Sequence, residues 1–386
     1  MSTLDKNSEI TVPIASLSYG GSGVGRYNNF VIFTPYTAPG DVARVRILNH
    51  KKSYAEAELI SIEAPSSSRV NPPCPVFMKC GGCQWQHVTY QEQLKQKQLI
   101  VEHALNRIAH ESDIEILPII PSPQEFHYRN RAQFRAEGKT VGFYQKKSHN
   151  IIEFEKCLII DEKLNEELAK IKNERINTPS EKTDKIEVFL SQKNAVIRSL
   201  NHAHGEESGF SQVNTQQNEQ MLKYVADLLG TPGQIATDNS FAGNLLDLYC
   251  GNGNFSLPLN KKGWRIHGID NNRSAIQAAR ETASQSAFFS PEDCTLGVTK
   301  LASQNRKFEV ILIDPPRVGA DERIWTSLAK LAAPKIVYVS CNPTTFARDW
   351  ARLKQTAPYK LISIQPFDMF PQTFHVELVA TAVLQK

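Results

Sequence analysis

The sequence predicts an α/β protein: a Rossmann-like, doubly wound C-terminal domain preceded by a small β-barrel and a central α+β segment. Three observations carry this. Apolar strand-length runs alternate with helical patterns from residue 245 to residue 384, and the first run enters a glycine turn, LLDLYCGNGNFSLPL. Residues 9–64 instead alternate short strands with glycine- or proline-bearing turns. At 386 residues and 41% hydrophobic, the chain can bury separate cores, and its length suggests two or three domains.

Composition excludes several classes. No apolar run is long enough to span a bilayer, and the opening MSTLDKNSEI is not a basic-then-apolar leader, so a cytoplasmic protein with no membrane partner is expected. No obligate protein partner is evident. A net charge of +4 means that a polyanionic partner has to be argued from local patches. Seven cysteines are present: Cys74, Cys80, Cys83 and Cys157, then Cys250, Cys294 and Cys341. An odd, clustered set in a reducing compartment points to metal binding or catalysis before disulfides.

In the N-terminal part, residues 12–15, 30–33, 42–48 and 55–62 read as barrel strands, with the glycine-rich stretch 19–25 as a turn. Arg44, Arg46, Lys51 and Lys52 are offset by Glu56, Glu58 and Glu63, which suits a solvated edge as well as an RNA-binding face. Residues 64–68 are a linker by composition. Then comes a C-x5-C-x2-C array, Cys74, Cys80 and Cys83, with Cys157 as a distant fourth candidate. Zinc and an iron-sulfur cluster both suit four soft thiolates, whereas a redox pair is disfavoured by the third nearby cysteine. Residues 90–109 form an amphipathic packing helix.

Residues 127–147 hold the basic patch that the total charge hides. Arg129, Arg131, Arg135, Lys139, Lys146 and Lys147 face a single Glu137 and are interleaved with Tyr128, Phe134, Phe143 and Tyr144. Cations for phosphates and rings for bases favour nucleic acid over a half-buried sheet with charges in water. Residues 163–200 are charged and then strand-like at 186–190 and 195–200, without a motif. The polar stretch 210–218, FSQVNTQQN, caps a helix running through 221–229.

In the C-terminal domain, Gly251 and Gly253 let the backbone approach a ligand. The position for a third glycine holds Ser256, which argues against a pyrophosphate; S-adenosylmethionine fits. The second strand, 264–269, ends at Asp270, placed to accept ribose hydroxyls. After a helix at 273–282 and a short strand around 288–289, strand 309–313 ends at Asp314 and strand 336–339 ends at Ser340-Cys341. Ligands sit outside the carboxyl ends of such strands, so Asp270, Asp314 and Cys341 should line one crevice. Strands at 361–366 and 374–384 close the sheet. Glu377 lies in an apolar run, where an acid is costly unless paired or used. Cys250 and Cys294 are expected to be small buried hydrophobes.

Taken in order, LLDLYCGNGNF, IDPPRVG, VYVSCNPTTFARD and DMFPQTFHVE resemble the S-adenosylmethionine-dependent RNA uracil-C5 methyltransferases, over essentially the whole chain. The resemblance implies three domains: an OB-like, RNA-binding TRAM barrel at 1–64, a central α+β iron-sulfur domain at 65–205, and a methyltransferase domain at 206–386. It implies that Gln212, Tyr249, Asn254, Asp270 and Asp314 contact the cofactor, with Gly251 in the same turn. It makes Cys341 the nucleophile and Glu377 the base, and it makes Cys74, Cys80, Cys83 and Cys157 ligands of a [4Fe-4S] cluster. Barrel and cluster together mark the ribosomal branch, so 23S rRNA is the implied substrate, although some archaeal relatives with both features act on transfer RNA. Asp270 stands where many members have Glu, and Tyr249 where many have Phe.

The residue types suit the chemistry. Uracil C5 is a poor nucleophile until a thiolate adds at C6, and a carboxylate can later remove the C5 proton. Arg317 and Arg348 are the candidates for favouring the thiolate. An amino-group methyltransferase would have no use for Cys341, and a non-catalytic iron-sulfur RNA-binding factor would not need Cys341, Asp314 and Glu377 together.

Overall fold

Five strands, β1 (Glu9–Leu17), β2 (Ser22–Tyr27), β3 (Phe30–Pro35), β4 (Val42–His50) and β5 (Tyr54–Ala64), close into a barrel in the order β1-β2-β3-β5-β4. The structure is a computed structural model describing residues 4–191, 193–200, 212–235 and 240–385. Period-2 alternation turns Val12, Ile14, Ile32, Val45 and Ile47 into the barrel interior. One expectation is corrected here: part of the glycine-rich stretch is strand β2, not turn. A Cβ at Gly23 would strike Thr37, and one at Gly25 would strike Val12, so these glycines mark close packing inside a strand.

α1 (Tyr90–Ala104) continues through a π-helical turn at Leu105–Ala109, and β6 (Glu115–Ile116) follows. Val101, Leu105 and Ala109 join the core of the C-terminal sheet, and β6 pairs with that sheet's edge. These residues therefore pack with the C-terminal domain, although they lie within the stretch 65–205 read as central. The apolar stripe of the helix decides this, because the C-terminal layer offers the matching face.

The central sheet comprises β7 (Arg131–Gly138), β8 (Thr140–Tyr144) and β9 (Ile151–Glu153), then α2 (Glu162–Asn177), β10 (Ser180–Leu190) and β11 (Val196–Leu200). Its order is β11-β10-β7-β8-β9. The charged composition hid α2 from sequence reading. Yet Leu164, Leu168 and Ile171 recur at helical spacing and are buried against the sheet, and the Asp161 side chain accepts the Lys163 N–H as a cap.

α3 (Thr215–Leu229) leads into β12 (Asn244–Leu248), α4 (Ser256–Lys261), β13 (Arg265–Asp270), α5 (Arg273–Thr282) and β14 (Ala287–Pro291). α6 (Cys294–Ser303), β15 (Val310–Ile313), α7 (Ile324–Leu331), β16 (Lys335–Ser340), α8 (Pro343–Thr356), β17 (Tyr359–Phe367) and β18 (Glu377–Leu384) complete the domain. The sheet order is β14-β13-β12-β15-β16-β18-β17-β6. β12 to β16 are parallel, and β18 runs antiparallel between β16 and β17. Both faces are covered: Leu246, Leu248, Ile311 and Ile313 enter one core, whereas Leu245, Val310, Leu312 and Val337 enter the other. This explains the unalternating apolar runs, and Leu246→Ala should cost about 2–5 kcal/mol.

The chain order reverses at β12, flanked by β13 and β15, which opens a crevice at the carboxyl edge of the sheet. β18 begins at Glu377 and not at residue 374, because residues 368–376 form a clamped loop. Lys97 Nζ donates to Asp368 Oδ1 at 2.5 Å, with both side chains fully buried, and the Gln84 and Trp85 N–H groups donate to the Gln372 carbonyl at 3.1 and 3.0 Å. The 205/206 boundary expected from sequence lies outside the described residues. Among the described residues no helix is long and apolar enough to cross a membrane.

Candidate active site

β12 delivers the chain into a turn that requires unusual backbone angles: φ is 63° at Tyr249, 54° at Gly251 and 87° at Gly253. Nothing lies within 4 Å of where a Gly251 Cβ would be, so that glycine is needed for its conformation and leaves open space. The Gly251 N–H donates to Asp270 Oδ2 at 3.0 Å, and the Asn272 N–H donates to Asp270 Oδ1 at 2.8 Å. Asp270 is thus oriented at the end of β13 with lone pairs to spare.

Ser256 has a positive role. Its hydroxyl donates to the Asp247 carboxylate beneath the turn, and both side chains are buried. Burial pushes the Asp247 carboxyl up to about 8; the Ser256 hydrogen bond opposes this, and Asp314 and Asp270 add to it. Sequence reading treated Asp247 as mere punctuation. Its signal was an acid inside an apolar strand, the same signal that singled out Glu377.

The other expected cofactor contacts are placed unevenly. The Asn254 and Asn218 side-chain amides pair reciprocally at 2.9 and 3.1 Å, so Asn218 on α3 is a partner that sequence reading missed. The Gln212 carbonyl accepts from Asn130 Nδ2 at 3.0 Å, and Asn214 caps α3. The Tyr249 hydroxyl oxygen meets the Asp321 backbone N–H, and burial raises its pKa.

Asp314 follows β15 and Cys341 follows β16. The β16–β18 register ends with Ser340 paired to Leu378, and Cys341 and Glu377 are the next residues beyond that pair. The turn after β16 is held by its neighbours: the Ser340 hydroxyl donates to the Asn342 carbonyl at 3.1 Å, and Asn342 Oδ1 accepts the Thr344 and Thr345 N–H groups at the start of α8. Ser340, Asn342 and Pro343 therefore shape the turn that presents Cys341 just ahead of a helix N-terminus.

Burial pushes the Cys341 thiol up to about 12; Glu377 adds to this, and Arg317 opposes it. Burial, reinforced by Asp314 and opposed by Arg317, holds the Glu377 carboxyl well above its ordinary range. Burial, then Asp270, pushes Asp314 up to about 7. Arg317 is thus the cation that acts on this cluster. Arg348 is engaged elsewhere, with Asp349 at 2.7 Å and the Val318 carbonyl at 2.7 Å. A residue with no sequence signal also arrives from the barrel: the Tyr19 hydroxyl donates to the Cys341 carbonyl at 3.2 Å.

Cys74, Cys80, Cys83 and Cys157 line one cavity of about 250 Å³ together with Val76, Phe143 and Phe154. Donors are aimed at the sulfurs: the Gly82 N–H at Cys80 Sγ, 3.4 Å away, the Gln86 side chain at Cys83, and the Ile159 and Ile160 N–H groups at Cys157. Among the described residues, no three His, Cys, Asp or Glu side chains are arranged to hold a metal ion. The structure supplies a shared thiol cavity, not a formed metal site.

The basic patch divides. Phe134, Phe143 and Phe154 stack at 5.2 and 5.0 Å within the central core, and Tyr128 is buried with its hydroxyl on the Pro371 carbonyl. These rings do not form an outward base-stacking face, because strand alternation turns Ala132, Phe134 and Ala136 inward and the arginines of β7 the other way. Arg129 and Arg131 border the thiol cavity, and Arg131 pairs with Glu187 at 3.7 Å. Arg135 lies over the Tyr144 ring at 5.1 Å and Lys146 over the Tyr36 ring at 5.8 Å, whereas Lys147 is exposed.

A doubly wound sheet with a glycine turn at its switch point and acids at its strand ends, joined to a closed five-stranded barrel, is a methyltransferase-type architecture with an added nucleic-acid-binding module. The fold matches that of a solved Pyrococcus abyssi tRNA (uracil-54, C5)-methyltransferase in complex with S-adenosyl-L-homocysteine, with a TM-score of 0.72 at 24% identity, over 97% of this chain and 99% of that one. The family model for tRNA (uracil-5-)-methyltransferase matches residues 182–289 and 295–385, and the TRAM domain model matches residues 5–60. An uncharacterised RNA methyltransferase of Bdellovibrio bacteriovorus is 36% identical over 97% of this chain and 94% of its own length. One from Thermosynechococcus vestitus is 33% identical over 98% and 99%. The chain belongs to the RNA uracil-5 methyltransferase family and carries its TRAM domain.

Proposed function

We propose that this protein methylates C5 of a uridine in 23S rRNA, with Cys341 as nucleophile and Glu377 as base. The observation that carries the reading is the end of the β16–β18 register, where Cys341 and Glu377 are the next residues beyond the Ser340–Leu378 pair at the carboxyl edge of the sheet, with Asp314 and Arg317 acting on both. Cys341 Sγ adds to C6, forming an S–C6 bond and pushing the C5–C6 electron pair toward C5 and O4. S-adenosylmethionine supplies the methyl group that C5 acquires, and its sulfonium fits an acidic crevice. Gly251 would admit it closely, Asp270 would accept hydrogen bonds from its ribose hydroxyls, and Gln212, Tyr249, Asn254 and Asp314 would complete the surroundings. Glu377 then takes the C5 proton, the C5–C6 double bond re-forms, and the S–C6 bond breaks to release Cys341.

Burial favours the neutral thiol of Cys341 and the neutral carboxyl of Glu377, and Arg317 opposes both shifts, so the thiol proton passes to solvent as Sγ attacks and Glu377 is ionised before it acts as base. The uridine has to leave its stack to reach the crevice, and Arg129, Arg131, Arg135, Lys146 and Lys147 are the cations proposed to hold the RNA.

For the four-cysteine cavity we propose a [4Fe-4S] cluster held by Cys74, Cys80, Cys83 and Cys157. The shared cavity and the N–H groups directed at the sulfurs support it, since such donors stabilise thiolate ligands. The cluster would occupy all four sulfurs and serve structure or RNA placement.

A second substrate reading, transfer RNA, is favoured by the match to the tRNA (uracil-5-)-methyltransferase family model. Mapping C5-methyluridine in both RNAs from a deletion strain separates the two. Loss from 23S rRNA, restored by the wild-type gene, is expected. Loss from transfer RNA instead would establish the second reading, and no loss from either would overturn both.

A further inference from the structure

The barrel reaches the reaction centre through one side chain. Tyr19 lies in the turn between β1 and β2, where Gly20 and Gly21 adopt φ of 120° and 89°. That turn is pinned from outside the barrel: Trp85 Nε1 donates to the Gly21 carbonyl at 3.2 Å, and the Leu17 N–H donates to Gln96 Oε1 on α1 at 2.8 Å. A Cβ at Gly21 would press on Gln84 and Phe374, so the turn sits tightly against the clamped loop that precedes Glu377. From this base the Tyr19 ring stands edge-on to Phe374 at 5.2 Å and to His375 at 6.5 Å, and its hydroxyl meets the Cys341 carbonyl.

We infer that Tyr19 is a positioning residue for the nucleophile: its hydrogen bond fixes the Cys341 peptide and draws that carbonyl's negative end away from the developing thiolate. The inference rests on Cys341 being the nucleophile. It assigns the barrel a part in the chemical step in addition to any hold on RNA. The phenol suits the task because burial, reinforced by Cys341 and opposed by Arg317, pushes its pKa up to about 12, so it remains a neutral donor. The turn on which Tyr19 rides is tied to residues directly after Cys83 and to α1, so its position is set by several elements at once.

Tyr19→Phe tests the idea, since it keeps the ring and removes only the donor. In the full-length protein, alkylation of Cys341 by iodoacetamide, read on the Cys341 peptide by mass spectrometry, should slow by about five- to tenfold at fixed pH, and its pH profile should move to higher pH. Methyl transfer to an unmodified 23S rRNA transcript should lose kcat by a similar factor, while KM for RNA and the affinity for S-adenosylmethionine stay within about twofold. Wild-type alkylation and kcat, or a loss confined to the KM for RNA, would overturn the inference and leave Tyr19 as a surface contact. Cys341→Ala run in parallel keeps the two readings apart. If that variant still methylates RNA, the nucleophile assignment itself is wrong; if it is inactive while Tyr19→Phe is normal, only the role of Tyr19 falls.

Discussion

Cys341 and the thiols around the central cavity are all half-buried, yet they stand in opposite surroundings. Burial raises Cys83 to about 12 and Cys157 to about 11, much as it raises Cys341. Around Cys341 the neighbours are carboxyls, Glu377 and Asp314, with Arg317 as counter-charge and a helix N-terminus just behind. Around Cys83 and Cys157 they are other thiols and N–H donors, in a largely apolar lining bordered by Arg129 and Arg131. Desolvation alone therefore does not distinguish a nucleophile from a ligand. A nucleophile needs a nearby group to exchange protons with, whereas a ligand set needs several sulfurs converging with their hydrogen bonds satisfied.

The largest effect that would break this contrast comes from the pair at the sheet edge. Cys341→Ala should abolish both methyl transfer and any covalent RNA adduct. Glu377→Gln should instead accumulate an adduct that resists denaturant and carries methyl label, because addition proceeds while proton removal stalls. Normal turnover by Glu377→Gln, or a labelled adduct that survives the loss of Cys341, would dissolve the assignment.

Metal content sharpens the other side. Protein purified anaerobically should be brown and contain iron, Cys83→Ser should lose most of that iron, and Cys341→Ala should keep it. Stoichiometric zinc without iron in the wild type would replace the cluster with a simpler site.

A smaller effect separates the two arginines read as candidates. Arg317→Gln should slow adduct formation roughly tenfold by removing the cation that favours the thiolate. Arg348→Gln should leave the rate unchanged below the melting temperature, since Arg348 serves Asp349 and the Val318 carbonyl. Equal losses in the two variants would mean that Arg317 has no special relation to Cys341.

The smallest effect is on stability. Asp247, at about 8, and Asp314, at about 7, bind protons more tightly when folded than when unfolded. Their contribution is full below the unfolded carboxyl pKa, near 4, falls progressively as pH rises from there, and is gone once pH passes the folded values of about 7 and 8. Melting temperature in cofactor-free protein should therefore fall between pH 6 and pH 9, and less so in Asp247→Asn. Parallel curves for the two proteins would place Asp247 outside this linkage.

Some of this was legible in the chain because it depends on local order. Regular alternation of strand and helix forces strand ends onto one edge, so Asp270, Asp314 and Cys341 could be placed together without coordinates. Glu377 and the four cysteines stood out because their residue types are expensive or unusual where they occur. Tertiary packing decided the rest. Residues of β7 that are neighbours in sequence point to opposite faces, so Phe134 went into the core while Arg135 found Tyr144. α2 depended on an apolar stripe masked by charge, α1 packs on the C-terminal sheet although it is followed in sequence by the central one, and the Asn254–Asn218 pair joins two elements that no motif links. The Tyr19 contact is a further product of long-range packing. Its hydroxyl meets a carbonyl more than three hundred residues away because a barrel turn, a clamped loop and a strand end converge. Local sequence determines which groups a strand or helix presents, and long-range packing determines what they meet.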